Sequence, residues 1–322
     1  MAGSVLVWIG ILAVYMGAAE SGFPTFSMET LGRLAEAGQL SEEFQTWVFP
    51  LFMVGFGVLA GMWPFHTWSP DGHVSAPTAV SMLHAGVLMK LGAYGIIRVG
   101  MVIVPEGAEN WMPVLITLGT VNVLYGAVSA MSQTDLKYII GYSSVSHMGY
   151  VLMGIATLDR IGVGGAVLQM FSHGIMTALM FLLVGAIYDR THTRDISVLK
   201  GLFSRMGVTG FFFAIAGLAS MGLPGLSGFI AEFMVFTGAF RTYLPLAVLA
   251  VIGAALTAVY ILRLLALTFL GESDARWEHL TDASPVEKAV GGAFVLISLC
   301  LGVWPEPLLR LINVSVDALP GV

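Results

Sequence analysis

Residues 63–95 read WPFHTWSPDGHVSAPTAVSMLHAGVLMKLGAYG. An apolar run ends here in a break rich in Pro, Gly and His. A second apolar run then follows, with Lys90 near its middle. Irregular backbone and a charge at membrane depth are tolerated only inside protein or beside a water-filled cavity. The stretch therefore predicts a helical membrane protein with an ion or proton path.

Composition agrees with a membrane chain. Of 322 residues, 57% are hydrophobic and 11% charged, with a mean hydropathy of +0.86; soluble domains carry about 25% charged residues. Apolar runs of helical rather than alternating pattern recur along the whole length. They predict an all-α bundle of about nine spans, at 4–19, 44–63, 77–104, 111–131, 136–157, 161–188, 207–240, 244–271 and 287–304. Net charge is −6 and no basic patch points to nucleic acid. The single cysteine, Cys300, builds no disulfide, iron–sulfur cluster or typical zinc site. No GxGxxG or Walker pattern supports a nucleotide. No redox or hydrolytic centre is expected on this chain. The N-terminal segment lacks a basic leader and reads as a first membrane helix.

The segment 207–240 is too long for one straight span. It holds MGLPGLSGFIAEF, where Pro224, Gly225 and Gly228 should interrupt the helix. Two discontinuities are thus predicted, near Pro64 and Pro224, each close to an ionisable residue. Paired broken segments point to inverted repeats in transporters. Residues 23–42 are too polar to span and predict a short helix at the interface. The loop 189–206 carries Arg190, Arg194, Lys200 and Arg205, a slight basic excess that places its side in the cytoplasm. The loop 272–286 reads as solvated.

Four residues stand out as path candidates. A charged Lys at the bilayer centre costs about 2.5–3.5 kcal/mol, and Lys90 lies too deep in its span to snorkel to the surface. Glu232, in FIAEFMVF, has no basic residue within helical reach, so its partner must come from another helix or subunit. His147 and His173 lie inside apolar helices, and imidazole suits a relay. Ser143 and Gln169 lie one turn before them as same-face polar neighbours. The bland alternative for each histidine is a structural bond across helices. His66, just past Pro64, offers a link from the first break towards Lys90. His73 reads as a residue of the path's mouth or of a loop. His84 falls on a different face from Lys90 and suits polar packing or the path equally. Lys137 starts a helix at the cytoplasmic edge, as a structural group or a point of proton uptake. Arg263 lies near its helix end and reads as snorkelling. No set of residues has metal-ligand spacing.

Five elements carry a resemblance. They are the residue 64–95 stretch, QTDLKYIIGYSSVSHMGY (133–150), SHG (172–174), HTRD (192–195) and LPGLSGFIAEFMV (223–235). Together they resemble the antiporter-like subunit M (chain 4) family of NADH–quinone oxidoreductase, respiratory complex I, from Ala2 to about Leu309. Kin of that family serve membrane-bound hydrogenases and Mrp-type cation/proton antiporters. The resemblance implies fourteen helices with two inverted five-helix repeats, and redox-driven proton translocation along buried charged residues. It implies other membrane-arm subunits as partners, an integral site in the bilayer of a bacterial plasma membrane, and NADH, FMN, iron–sulfur clusters and quinone held by partner subunits. Lys90 matches the family's central lysine and Glu232 the acid of the second broken helix. His147 and His173 match the bridging histidines, and His66 the histidine after the first broken helix. On this reading 1–104 is the remnant of the first repeat, 111–271 the second and 287–304 a C-terminal helix, in one transmembrane domain.

Two departures are expected to matter. The chain begins at what resembles the sixth helix, so the helix with the family's buried glutamate does not precede it. The lysine that pairs with that glutamate is replaced by Leu59. Loss of one partner of a buried pair costs about 3–5 kcal/mol, so the leucine would relieve a penalty. The expectation is an adapted short form with an altered first half-channel. An antiporter or hydrogenase subunit, and a non-transporting scaffold, stay open as alternatives.

Overall fold

The computed structural model describes residues 1–322. α1 (Ala2–Glu20) is followed by α2 (Met28–Glu36), α3 (Glu42–Ala60) and α4 (Trp68–Ser75). Next comes one long rod, Thr78–Met101. Within it α5 (Thr78–Leu83) and α6 (Met89–Gly95) are joined by a π-helical turn at His84–Leu88, with a second at Ile96–Met101. α7 (Pro105–Ser132), α8 (Leu136–Ala156) and α9 (Arg160–Thr191) form the centre. α10 (Gly207–Ser220) and α11 (Ser227–Thr242) are the halves of a broken helix. α12 (Leu244–Thr268), α13 (Pro285–Val303) and α14 (Glu306–Val316) complete the chain.

Eight helices are long and apolar enough to cross a membrane, and α10 with α11 supplies a ninth crossing in two pieces. That matches the predicted count. α2 is the expected short helix, capped by Ser27 Oγ accepting from Thr30 N at 3.4 Å and burying Leu31, Leu34 and Ala35.

Both expected breaks are present, and glycine makes each. α3 ends where Gly61 adopts φ +76°, and α10 is followed by Gly222 at φ +65°, a region that L side chains rarely enter. The first break is not a loop throughout. Residues 68–75 form the helix α4, because Pro70 and Asp71 lie in its first turns, where proline removes no needed donor and an acid favours the helix dipole. The span expected at 77–104 is one rod, but it is interrupted by the two π turns.

The two broken helices run in opposite senses. α3 starts beside the head of α7, where Gln45 Nε2 donates to Glu106 at 2.9 Å. α4 ends beside the 189–206 loop, where Arg194 Nη1 donates to the Val74 carbonyl at 3.3 Å. α10 leaves that loop's side, and α11 ends on the other, where Arg241 meets Asp159 at 3.8 Å.

α8 and α9 are the axis of the bundle: 94% of the α8 span is buried, against 22% for α1 and α13. Close helix crossings put them there. A Cβ at Gly126 would come 2.6 Å from Ser146 N, and one at Gly149 2.6 Å from Gly119 O. Small residues let backbones approach where lipid gives helices no hydrophobic reason to associate. These two helices carry His147 and His173.

Candidate functional site

The polar residues that composition makes rare are gathered into one thread. Lys90, on the rod just past the first π turn, places Nζ 2.6 Å from His173 Nδ1 on α9. The same amine donates back to the Ala85 carbonyl. The His173 and His147 rings lie 5.2 Å apart between centroids. His147 Nδ1 is 3.2 Å from Glu232 Oε1 on α11. All four are buried, with exposures of 8% for Lys90, 1% for each histidine and 4% for Glu232. Four groups from four helices thus form a buried series, bonded at Lys90–His173 and at His147–Glu232 and joined between the two histidines by ring proximity, with His173 Nε2 unpartnered.

Gln169 completes the Glu232 end. Its Nε2 donates to Glu232 Oε1 at 3.3 Å and stands 3.3 Å from His147 Nδ1. His147 Nδ1 therefore has two partners with opposite demands. It donates to the carboxylate in one protonation state and accepts from the amide in the other. His147 Nε2 lies 2.9 Å from Ser220 Oγ, the last residue of α10. The second break thereby supplies both ends of the His147 ring, through Ser220 before it and Glu232 after it. Gly222 leaves the room: a Cβ there would meet Glu232 Oε2 at 2.8 Å.

The same-face neighbours expected from helical spacing turn elsewhere. Ser143 pairs with Tyr260 on α12, with 2.7 Å between hydroxyl oxygens. Gln169 serves His147 and Glu232 rather than His173. Ser220 and Tyr260 were not singled out from the sequence. A hydroxyl immediately before a glycine–proline break, and a tyrosine hydroxyl inside an apolar helix that must find a partner, were the available signals.

The remaining candidates divide. His73 is not in a loop or at a mouth. It is fully buried in α4, its ring tilted against those of His84 and Phe181 with centroids 4.3 Å and 5.0 Å away, and its Nε2 is 3.3 Å from Ser69 Oγ. His84 also lies 5.0 Å from the Trp68 ring. His66 is buried, but the nearby ring is Tyr125 at 4.8 Å and neither of its nitrogens has a hydrogen-bond partner. It does not join the thread. Lys137 donates to the Ala76 carbonyl at 2.6 Å and to Ser81 Oγ at 3.4 Å, so it closes the end of α4, as cations do at helix C-termini. Arg263 is half-buried and donates to the Met131 carbonyl in the last turn of α7. Leu59 lies partly exposed in a groove between α1 and α3, with Val7 and Trp68.

Comparison with known proteins places this geometry. Residues 1–257 match the family model described as NADH:quinone oxidoreductase/Mrp antiporter, TM. The chain is 40% identical over 323 residues to NADH-quinone oxidoreductase subunit M of Rhodobacter capsulatus, an alignment covering 98% of this chain and 62% of that protein. It superposes on a chain of respiratory complex I from Thermus thermophilus with TM-score 0.90 at 30% identity, covering 98% of this chain and 67% of that one. The Mrp complex from Dietzia sp. DQ12-45-1b shares the fold, with TM-score 0.85 at 22% identity and coverages of 98% and 66%. The chain belongs to the NADH:quinone oxidoreductase/Mrp antiporter transmembrane family. It is an integral, multi-pass membrane protein with the complex I antiporter-like fold. It spans about three-fifths of the length of the curated relative, 62%.

Proposed function

We propose that this chain is a membrane-arm subunit of a complex I-like NADH–quinone oxidoreductase and takes part in redox-coupled proton translocation. The observation that carries the reading is the buried series Lys90–His173–His147–Glu232, with the two imidazoles 5.2 Å apart between centroids. Such groups are costly in a bilayer, and a scaffold could replace them with apolar residues without loss of stability. Lys90 and Glu232 mark the ends, the two histidines hand protons between them, and Gln169 sets which partner His147 engages. In a poorly screened interior, a change of charge on one group alters the proton affinity of the next. Protonation changes thus pass along the series. The redox chemistry, with NADH, FMN, iron–sulfur clusters and quinone, belongs to partner subunits, and other membrane-arm chains and lipid cover this one. Residues 1–104 and 111–271 are the two inverted units, in keeping with the opposite senses of their broken helices. His66 lies outside the path, and the His73–His84 pair lies beside it.

The test is Lys90→Met in the assembled complex, with NADH-driven proton translocation measured in membrane vesicles. Translocation is expected to fall while assembly is kept; unchanged pumping would favour a scaffold. The shared fold and the family's inclusion of Mrp antiporters support a second reading, a cation/proton antiporter subunit. The chains that copurify separate the two: NADH- and quinone-binding subunits support the first, their absence the second.

A further inference from the structure

The rod and α9 cross at two glycines, Gly86 and Gly174. Gly86 lies inside the first π turn and next to Ala85, whose carbonyl receives the Lys90 amine. Gly174 follows His173 directly. The backbones that carry Lys90 and His173 therefore touch beside the point where those side chains meet.

The contact is unequal. A Cβ at Gly174 would come 2.7 Å from the Gly86 carbonyl oxygen, nearer than real Cβ atoms stand. A Cβ at Gly86 would lie 3.4 Å from the Gly174 oxygen and 3.9 Å from the Ala178 methyl, an ordinary contact. The opposing atom at Gly174 is backbone, so no side chain can swing aside. The rods would have to part by several tenths of an ångström. A parting of about 0.6 Å would carry the 2.6 Å Lys90–His173 contact to the long end of the hydrogen-bond range, about 3.2 Å, where the bond is weakest.

We propose that Gly174 is a positioning residue: its missing side chain fixes the spacing of the rod and α9, and so holds Lys90 within reach of His173. The proposal rests on the transport reading, and its test keeps the two apart. Gly174→Ala, Gly86→Ala and Lys90→Met are each introduced into the whole assembly. NADH-driven proton translocation is followed against pH and normalised to assembled chain, so reduced accumulation does not obscure the result. Gly174→Ala is expected to lower translocation by about tenfold, as small misplacements of reacting groups do, and to move its pH profile. Gly86→Ala is expected to change neither.

A second readout is the ¹⁵N resonance of His173 Nδ1 in the assembly reconstituted into bilayers. The signature of the lysine contact, defined by its loss in Lys90→Met, should persist in Gly86→Ala and be lost in Gly174→Ala. A wild-type profile and resonance in Gly174→Ala would overturn the proposal. So would equal impairment by both alanines, or failure of both variants to assemble, which would make the crossing a folding requirement. If Lys90→Met leaves translocation intact, the transport reading fails while the resonance still decides the spacing.

Discussion

The two broken helices have the same backbone device and different yields. Each is opened by a glycine at positive φ, Gly61 in one and Gly222 in the other. The second break supplies a serine and a glutamate to the His147 ring. The first supplies His66, whose nitrogens meet no partner, and the apolar Leu59. Interrupting a helix frees backbone polar groups in the bilayer's interior, and those groups must then be satisfied. At the first break they are satisfied structurally. Asn122 accepts from Trp63 N at 2.6 Å and donates to the carbonyls of Gly61 at 2.9 Å and Val145 at 3.2 Å. A discontinuity is thus a place where function can be built, and only the second one is joined to the titratable series.

Experiments can press on this contrast. Glu232→Gln keeps the shape of the second break and removes its titration. It should lower proton translocation by about a hundredfold, the scale of a positioned proton-transfer group, with assembly retained; vesicle translocation assays read it, and near-normal transport would put the second break on a level with the first. Asn122→Ala attacks the first break through stability instead. It strands the Trp63 N–H and the Gly61 carbonyl, at about 1–3 kcal/mol for an unsatisfied group, so the purified complex should melt at a lower temperature in thermal unfolding. His66→Phe should be nearly silent in both transport and melting, because the ring has no hydrogen bond to lose. Transport loss like that of Glu232→Gln would show that the first break also carries protons.

The smallest effect lies outside the membrane, at the head of α10. Asp282 is partly buried, which pushes its carboxyl up. That push is outweighed by bonds accepted from the N–H groups of Val208, Ala283 and Thr209 and from the Thr209 hydroxyl, which hold it below its ordinary value of 3.8. Its folded value is lowered, so its stabilising contribution is complete above the unfolded value and is lost as pH falls through the folded one. Below about pH 4, or in Asp282→Asn at neutral pH, amide exchange at Val208 and Thr209 should quicken while Glu232 and its break are undisturbed.

Much of the fold was legible because lipid leaves little choice. Long apolar runs must be helices, and Pro and Gly inside them must mark breaks, so the nine crossings and both discontinuities followed from pattern. Lys90, His147, His173 and Glu232 stood out because polar groups are rare there. What the pattern could not carry was rotation. The π turn at 84–88 inserts a residue with no local signal and decides which way Lys90 points. Gln169 and Ser143 were assigned to neighbours one turn along their own helices, but their partners lie across helix interfaces. His73 looked like a loop residue because Pro70, Asp71 and Gly72 mimic turn chemistry, whereas they sit inside a short helix.

The Asn122 side chain has a mechanical implication. It grips the turn at 61–63 with both ends of its amide, and the nitrogen end also holds a carbonyl two residues ahead of His147. Any tilt of the α3 tip is therefore delivered to α8 as a tug on Val145, close to where the imidazole is hinged. The first break, which contributes no titrating group to the relay, still has a handle on it, and strain applied at that break has a short, stiff route to the ring that sorts protons.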